Sequence, residues 1–170
     1  MHVKNNRLLA IDPGAREMGI VVLNEFQIIY YGVKSLKMYR PQKVLKRAVT
    51  DILTRLIIEY SITTLIIEDG HFSQMASPLY NTVLHAIQET ANCRKLTLAV
   101  YGSKPIRKFL CRDGKATKQR TAQILAERYP ELKMYLEQNC RWKEKYWIHV
   151  FDALAAGLTH VVKLEEGSGK

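Results

Sequence analysis

The chain contains short segments in which every position is apolar. Leu8–Ile11 is the first, and the stretch "TTLIIE" at Thr63–Glu68 has a similar character. Continuous apolar runs of this length are typical of central strands that are buried on both faces. The predicted strands are Arg7–Ile11, Met18–Asn24, Gln27–Val33, Thr63–Glu68 and Leu96–Tyr101.

Other segments carry apolar residues at helical spacing. Between Gln42 and Tyr60, the apolar residues Leu45, Val49 and Leu56 recur at intervals that place them on one face of a helix. Ser77 and Pro78 have the residue types preferred at an N-cap and at the first helical position, and they open a helix that ends near Cys93. The predicted helices are Gln42–Tyr60, Pro78–Cys93, Lys104–Phe109, Lys118–Arg128 and Trp147–Lys163.

The order of these elements predicts an α/β fold. Three consecutive strands are followed by helix, strand, helix, strand and further helices, so we expect a five-stranded mixed sheet flanked by helices. Its first three strands are antiparallel and its last two are joined by parallel crossovers. Residues 1–163 are predicted to form a single domain, followed by a flexible polar tail at 164–170. In sheets of this kind, sites form at the carboxyl ends of central strands.

Charge adds a first indication of function. The chain of 170 residues carries a formal net charge of +10 and has a pI near 9.6. A strongly basic protein of this size is typical of one that binds a polyanion, most often a nucleic acid. No apolar run approaches the ~20 residues that span a bilayer, and no signal region is recognisable, so we expect an intracellular protein that does not bind membranes. The three cysteines, Cys93, Cys111 and Cys140, match neither a disulfide framework nor a zinc site.

Acidic side chains stand at the ends of two predicted strands. Asp12 follows the first strand, just before Pro13-Gly14, and Glu68 ends the fourth. On the last helix, His149 and Asp152 are three residues apart and therefore share a face. Small residues follow on that helix, so it is able to lie close to the sheet. The sequence thus predicts that all four side chains converge at one edge.

Clustered carboxylates repel one another unless a cation compensates them. Magnesium takes oxygen ligands and keeps part of its shell for water and substrate phosphate, and two such ions stabilise both reacting oxygens in phosphoryl transfer. A basic surface for the phosphate backbone and an acidic pocket for metal are therefore compatible in one nuclease. Three of these residues also have a purely structural interpretation: Asp12 as a turn cap, Glu68 as a loop acid and His149 as a packing histidine. Asp152 is less readily explained in that way, because a buried unpaired charge on an apolar helix costs several kcal/mol.

Three motifs resemble the RuvC family of Holliday junction resolvases, which have the ribonuclease-H-like fold. They are "LLAIDPGAREMGIVVL", with Gly19 as the glycine five residues after Gly14, "LIIED", and "HVFDALAAGLTH". The order and approximate spacing agree from Arg7 to about Val161. The resemblance implies catalytic and metal-site roles for Asp12, Glu68, His149 and Asp152. It leaves open whether His149 binds metal or positions the attacking water.

The same resemblance implies the cofactor and the partners. We expect two Mg²⁺ ions, with Mn²⁺ as a substitute, and a homodimer that makes paired nicks in a four-way DNA junction during recombination and repair. One face of the Pro78–Cys93 helix is a candidate for the dimer contact. Phe72 is the nearest candidate for an aromatic side chain that inserts at the junction centre. The expected DNA contacts in the basic stretch before the last helices are Lys104, Arg107, Lys108, Lys115 and Lys118.

Other functions remain open from the sequence. One is a ribonuclease-H-like nuclease that acts on RNA–DNA hybrids or on other branched replication intermediates. Another is a junction-binding module without catalysis. An actin-like phosphotransferase is disfavoured, because a chain of 170 residues with nine glycines leaves no room for a second similar domain and its phosphate loop.

Overall fold

The structure, a computed structural model, describes residues 6–69, 77–136 and 141–168. Its strands are β1 (Arg7–Asp12), β2 (Glu17–Asn24), β3 (Gln27–Ser35), β4 (Thr64–Asp69) and β5 (Thr97–Gly102). Its α-helices are α1 (Gln42–Tyr60), α2 (Pro78–Cys93), α3 (Ser103–Cys111), α4 (Lys118–Arg128) and α5 (Arg141–Ser168). A 3-10 helix spans Pro130–Tyr135.

The five strands form one mixed sheet in the order β3-β2-β1-β4-β5. The β1–β2 and β2–β3 pairs are antiparallel, whereas β1–β4 and β4–β5 are parallel. The predicted fold class is therefore confirmed. Because β1, β3, β4 and β5 all run in the same direction, their carboxyl ends lie at the same edge of the sheet.

Side-chain alternation along the strands separates two cores. Leu9 and Ile11 of β1 pack with α1 and α2 on one face, while Leu8 and Ala10 pack with α4 and α5 on the other. Asp12 continues the series of Leu8 and Ala10 and so lies on the α5 face. The same alternation in β4, where Ile66 packs on the α5 side, places Glu68 on that face too.

Helices α1 and α2 agree with their predictions. Helix α1 has the predicted bounds, Gln42–Tyr60. At the start of α2, the Ser77 hydroxyl accepts a hydrogen bond from the Tyr80 backbone N–H at 3.2 Å, with Pro78 in the first turn. This is the predicted cap, and it satisfies a backbone donor that the helix itself cannot.

The last helix differs from its prediction at both ends. It runs over Arg141–Ser168 instead of Trp147–Lys163, so residues 164–168 of the expected tail are helical. Buried positions are continuous only from Val150 to Val161. The added turns carry little buried apolar surface at the C-terminal end, which is why the hydrophobic pattern did not reveal them. No helix among the described residues has the length and apolarity needed to cross a membrane.

Candidate active site

Three carboxylates meet at the carboxyl edge of the sheet. Asp12 from β1, Glu68 from β4 and Asp152 from α5 each offer one oxygen, and these atoms lie within 4.8 Å of one another. Glu68 is only 4% exposed and Asp152 only 5%, so the charges are largely removed from water. The predicted convergence of these three residues is present in the structure.

Close packing of α5 on β2 makes this convergence possible. Gly19 is paired with Asp12 across the β1–β2 ladder. A Cβ built on Gly19 would lie 2.0 Å from the backbone oxygen of His149, so the helix backbone occupies the space where any other side chain would stand. Further along α5, a Cβ on Gly157 would meet Leu23 at 2.7 Å. Glycine at these two contact points allows α5 to carry Asp152 to the end of β1.

Burial and mutual repulsion change the protonation of the carboxylates. Burial, followed by the charges of Asp152 and Asp12, raises the pKa of Glu68 from 4.5 to about 8. Burial and the charge of Asp12 likewise raise the pKa of Asp152, against the opposing effect of Lys118 and His149. Without a further cation, ionisation of all three carboxylates is therefore energetically unfavourable.

Glu68 has one satisfied and one unsatisfied oxygen. Its Oε1 accepts a hydrogen bond from the Ser103 hydroxyl at 3.0 Å. Its Oε2 is buried and has no hydrogen-bond partner among the described residues. A buried carboxylate oxygen that faces two other carboxylates and lacks a donor fits a divalent cation, because such a cation binds oxygen and supplies the missing positive charge. The donor set thus suits a hard metal ion such as Mg²⁺.

Lys118 lies with the acids. Its ammonium group forms an ion pair with Oδ2 of Asp152, and its side chain is 49% exposed. Burial alone would lower the pKa of Lys118, but Asp152, Asp12 and Glu68 together raise it. The sequence predicted this lysine as a contact to DNA phosphate, and the structure shows that it also neutralises part of the acidic cluster.

His149 contacts Asp12 directly. Its Nδ1 lies 2.6 Å from Oδ2 of Asp12, and its Nε2 lies 3.6 Å from Oε2 of Glu17. Although burial would lower the pKa of His149, the hydrogen bond and charge of Asp12 raise it overall, with smaller contributions from Asp152 and Glu17. The imidazole is thus held between two carboxylates, one of them in the acidic cluster.

The other predicted DNA contacts flank this edge. Helix α3 follows β5 directly, and its first residue, Ser103, is the one that contacts Glu68. Lys104, Lys108 and Lys115 are exposed, and Arg107 is partly so. Phe72 lies outside the described residues. Sequence reasoning missed Glu17 and Ser103, because their roles depend on contacts with residues more than thirty positions away.

Comparisons with known proteins identify the family and the fold of the chain. The model of the family "Crossover junction endodeoxyribonuclease RuvC" matches residues 8–160. No match is found among curated proteins. The chain is similar in structure to Thermus thermophilus RuvC, with a TM-score of 0.74 at 19% identity over 95% of this chain and 96% of that one.

Two further solved structures share the fold. Thermus thermophilus RuvC in complex with a Holliday junction substrate gives a TM-score of 0.73 at 18% identity, covering 96% of this chain and 97% of that one. The yeast mitochondrial Holliday junction resolvase Ydc2 gives 0.63 at 13% identity, covering 95% and 81%. At these identities the structural matches establish the ribonuclease-H-like fold, and the family match over most of the chain establishes the relationship. The chain is a member of the RuvC family of crossover junction endodeoxyribonucleases.

Proposed function

We propose that this RuvC-family nuclease resolves four-way DNA junctions in recombination and repair by hydrolysing phosphodiesters in a Mg²⁺-dependent reaction. The observation that carries the proposal is the buried group of Asp12, Glu68 and Asp152, whose carboxylate oxygens lie within 4.8 Å of one another. A divalent ion bound there supplies Lewis-acid stabilisation of charge on the scissile phosphate. The oxygen-only ligand set supports Mg²⁺, with Mn²⁺ as a substitute and two ions as the expected number.

We assign different roles to the carboxylates and to the histidine of the site. Asp12, Glu68 and Asp152 are proposed to hold the metal ions. His149 is the fourth site residue, and its contact with Asp12 favours a positioning role, since Nδ1 already faces a carboxylate. In many metal sites, a residue that hydrogen-bonds to a metal ligand fixes the orientation of that ligand. We propose that His149 acts on Asp12 in this way.

The basic residues beyond β5 are proposed to bind the DNA backbone. Lys104, Arg107, Lys108 and Lys115 lie on α3 and the following loop, and α3 begins at Ser103, which contacts Glu68. Lys118 is proposed to contact phosphate at the cluster itself, because half of its side chain is exposed beside Asp152. Phosphate contacts of this kind position the duplex without reading its sequence.

We further propose that the protein acts as a homodimer, because paired nicks across a two-fold junction need two equivalent sites. Helix α2 supports a contact between copies. Val83 and Ile87 are buried against α1 and the sheet, while Leu79 and Leu84 are only partly covered. Light scattering of the purified protein measures its mass directly, and a monomer at all concentrations, with and without junction, would contradict this part.

A cleavage assay tests the function. A synthetic four-way junction, a linear duplex of the same sequence and an RNA–DNA hybrid are each incubated with the protein, with Mg²⁺ or with a chelator. We expect symmetric nicks in the junction only, and only with Mg²⁺. Preferential cleavage of the hybrid would favour the ribonuclease-H-like alternative, and binding without cleavage would favour the non-catalytic one.

A further inference from the structure

We infer that Glu17 is a positioning residue for His149, holding the imidazole from the side opposite Asp12. The inference rests on the proposed function, because it adds a residue to the same site. It is carried by a continuous line of charged contacts, from Asp12 through His149 and Glu17 to Lys37.

Strand geometry places Glu17 beneath the active-site turn of α5. It is the first residue of β2 and lies two positions before Gly19, so the two residues face the same side of the sheet. That side is the α5 side, since Val21 packs in the same core. The backbone of His149 sits directly over Gly19. A carboxylate two residues away along the strand is therefore at the right distance to meet the imidazole ring.

The ring of His149 is consequently flanked by acids at both nitrogens. Asp12 lies 2.6 Å from Nδ1, within hydrogen-bond range, and Glu17 lies 3.6 Å from Nε2, within ion-pair range. Rotation of the ring about its Cβ–Cγ bond would move both nitrogens away from these oxygens. Two carboxylates on opposite ring nitrogens thus favour one ring orientation, and that orientation directs Nδ1 at the Asp12 carboxylate.

Glu17 is itself held in place. Its other oxygen, Oε1, lies 2.7 Å from the ammonium group of Lys37, on the segment that follows β3. Its side chain is only 19% exposed, whereas that of Lys37 is 55% exposed. A mostly buried carboxylate that shares its two oxygens between a lysine and a histidine has less freedom to move. Lys37 therefore fixes Glu17 from the surface side.

A neighbouring contact ties the same turn of α5 to the sheet. The hydroxyl of Tyr146 donates to the backbone oxygen of Val33 at 3.1 Å, and Val33 pairs with Gly19 in the β2–β3 ladder. The helix turn that carries His149 is thus anchored before and beneath the histidine. The Tyr146 contact holds the backbone of this turn, whereas Glu17 contacts only the side chain of His149.

The test compares Glu17→Gln, His149→Ala and the double variant, with Glu127→Gln as a matched control on the exposed surface of α4. We expect Glu17→Gln to lower the single-turnover cleavage rate of a bound four-way junction about 10-fold, the lower end of the effect of losing a partner that orients a metal-site residue. Junction affinity should not change. In the His149→Ala background, Glu17→Gln should cost nothing further, because the residue acts through the histidine.

A spectroscopic measurement on the DNA-free, metal-free protein makes the result independent of activity. The side-chain ¹⁵N signal of His149 Nε2 should shift in Glu17→Gln, while those of His85 and His160 stay in place. Lys37→Gln, a substitution at the surface that removes the ion pair of Glu17, should also move this signal and serves if Glu17→Gln does not fold. An unshifted His149 signal, or an equal loss of cleavage with and without His149, would overturn the inference. If the wild type cleaves no junction, the proposed function fails and the ¹⁵N comparison alone decides the role of Glu17.

Discussion

The imidazole Nδ1 of His149 lies 2.6 Å from Oδ2 of Asp12, although 137 positions separate the two residues in the chain. The contact joins the end of the first strand to the last helix. It exists because Gly19 lets the helix backbone approach β2 more closely than any side chain would allow. The geometry of the candidate site therefore depends on a glycine, which has no functional side chain.

Gly19→Ala should damage both stability and cleavage. The new Cβ would lie 2.0 Å from the His149 backbone oxygen, so α5 must shift away from the sheet. We expect a loss of about 1–3 kcal/mol in the free energy of unfolding, the usual range for overpacking, measured by urea denaturation. Cleavage should fall with it. The control is Gly114→Ala, whose Cβ would meet its nearest atom at 3.6 Å, an ordinary contact. Equal stability of the two variants would refute the close-packing explanation.

Stability of the metal-free protein should decrease with rising pH. The pKa of Glu68 is raised from 4.5 to about 8 in the folded state, so between these values the folded chain binds more protons than the unfolded chain. The stabilising contribution of protonated Glu68 is present at low pH and is lost as the pH rises through about 8. Thermal unfolding of wild type and Glu68→Gln in a chelator measures this, and we expect a flatter profile for the variant. Identical pH profiles would show that Glu68 does not titrate in this way.

Added Mg²⁺ should oppose that decrease, because an ion bound at the proposed site favours the carboxylate form of Glu68. The rise in melting temperature on adding Mg²⁺ to the wild type should therefore be larger at the alkaline end of the same pH range. Ca²⁺ is the comparison ion, because it has the same charge as Mg²⁺ but a different coordination preference. A shift that is independent of pH would argue against metal binding at Glu68.

Lys118→Gln should strengthen metal binding to the DNA-free protein. The ammonium group of Lys118 forms an ion pair with Oδ2 of Asp152 and places a positive charge among the three acids. Its removal frees that oxygen and relieves repulsion toward the incoming cation. We expect Mg²⁺ to bind about tenfold more tightly by calorimetry, which corresponds to about 1.4 kcal/mol. Lys115→Gln, at an exposed position on the loop just before α4, is the control. Weaker Mg²⁺ binding in Lys118→Gln would mean that the lysine supports the metal site instead of competing with it.

Lys108→Gln should reduce the salt dependence of junction binding. Each phosphate contact contributes roughly 0.7–0.9 to the slope of log affinity against log salt concentration. Lys108 is exposed on α3, which begins at the carboxyl end of β5 beside Glu68. Lys95→Gln is the control, because Lys95 precedes the opposite end of β5. Equal slopes for the two variants would show that Lys108 does not contact a DNA phosphate.

Local patterns in the sequence were sufficient to predict most of the fold. The apolar runs predicted all five strands, and the spacing of Leu45, Val49 and Leu56 predicted α1 with the bounds observed. The strand-end acids Asp12 and Glu68 were identified because a charge at the end of a buried strand stands out. The Pro130–Tyr135 3-10 helix was not predicted, since a helix of only six residues is too short to leave a periodic signal.

The parts of the site that the sequence did not predict are tertiary pairings. Lys118 reads locally as one of many lysines in a basic stretch, and only the docking of α4 against α5 places it on Asp152. Glu17 likewise is one polar residue at the start of β2, and only the docking of α5 over β2 brings His149 to it. No local spacing rule connects residues so far apart in the chain.

The proposed function depends most directly on Asp12, which we propose to bind the metal ion needed for DNA cleavage. Asp12→Asn keeps the size of the side chain and removes its charge, so it is the most direct test. Single-turnover cleavage and binding of one synthetic four-way junction are measured for wild type and variant in Mg²⁺, with Asp51→Asn as an exposed control on α1. We predict that Asp12→Asn binds the junction as well as the wild type and does not cleave it. Cleavage at near wild-type rate by Asp12→Asn would contradict it.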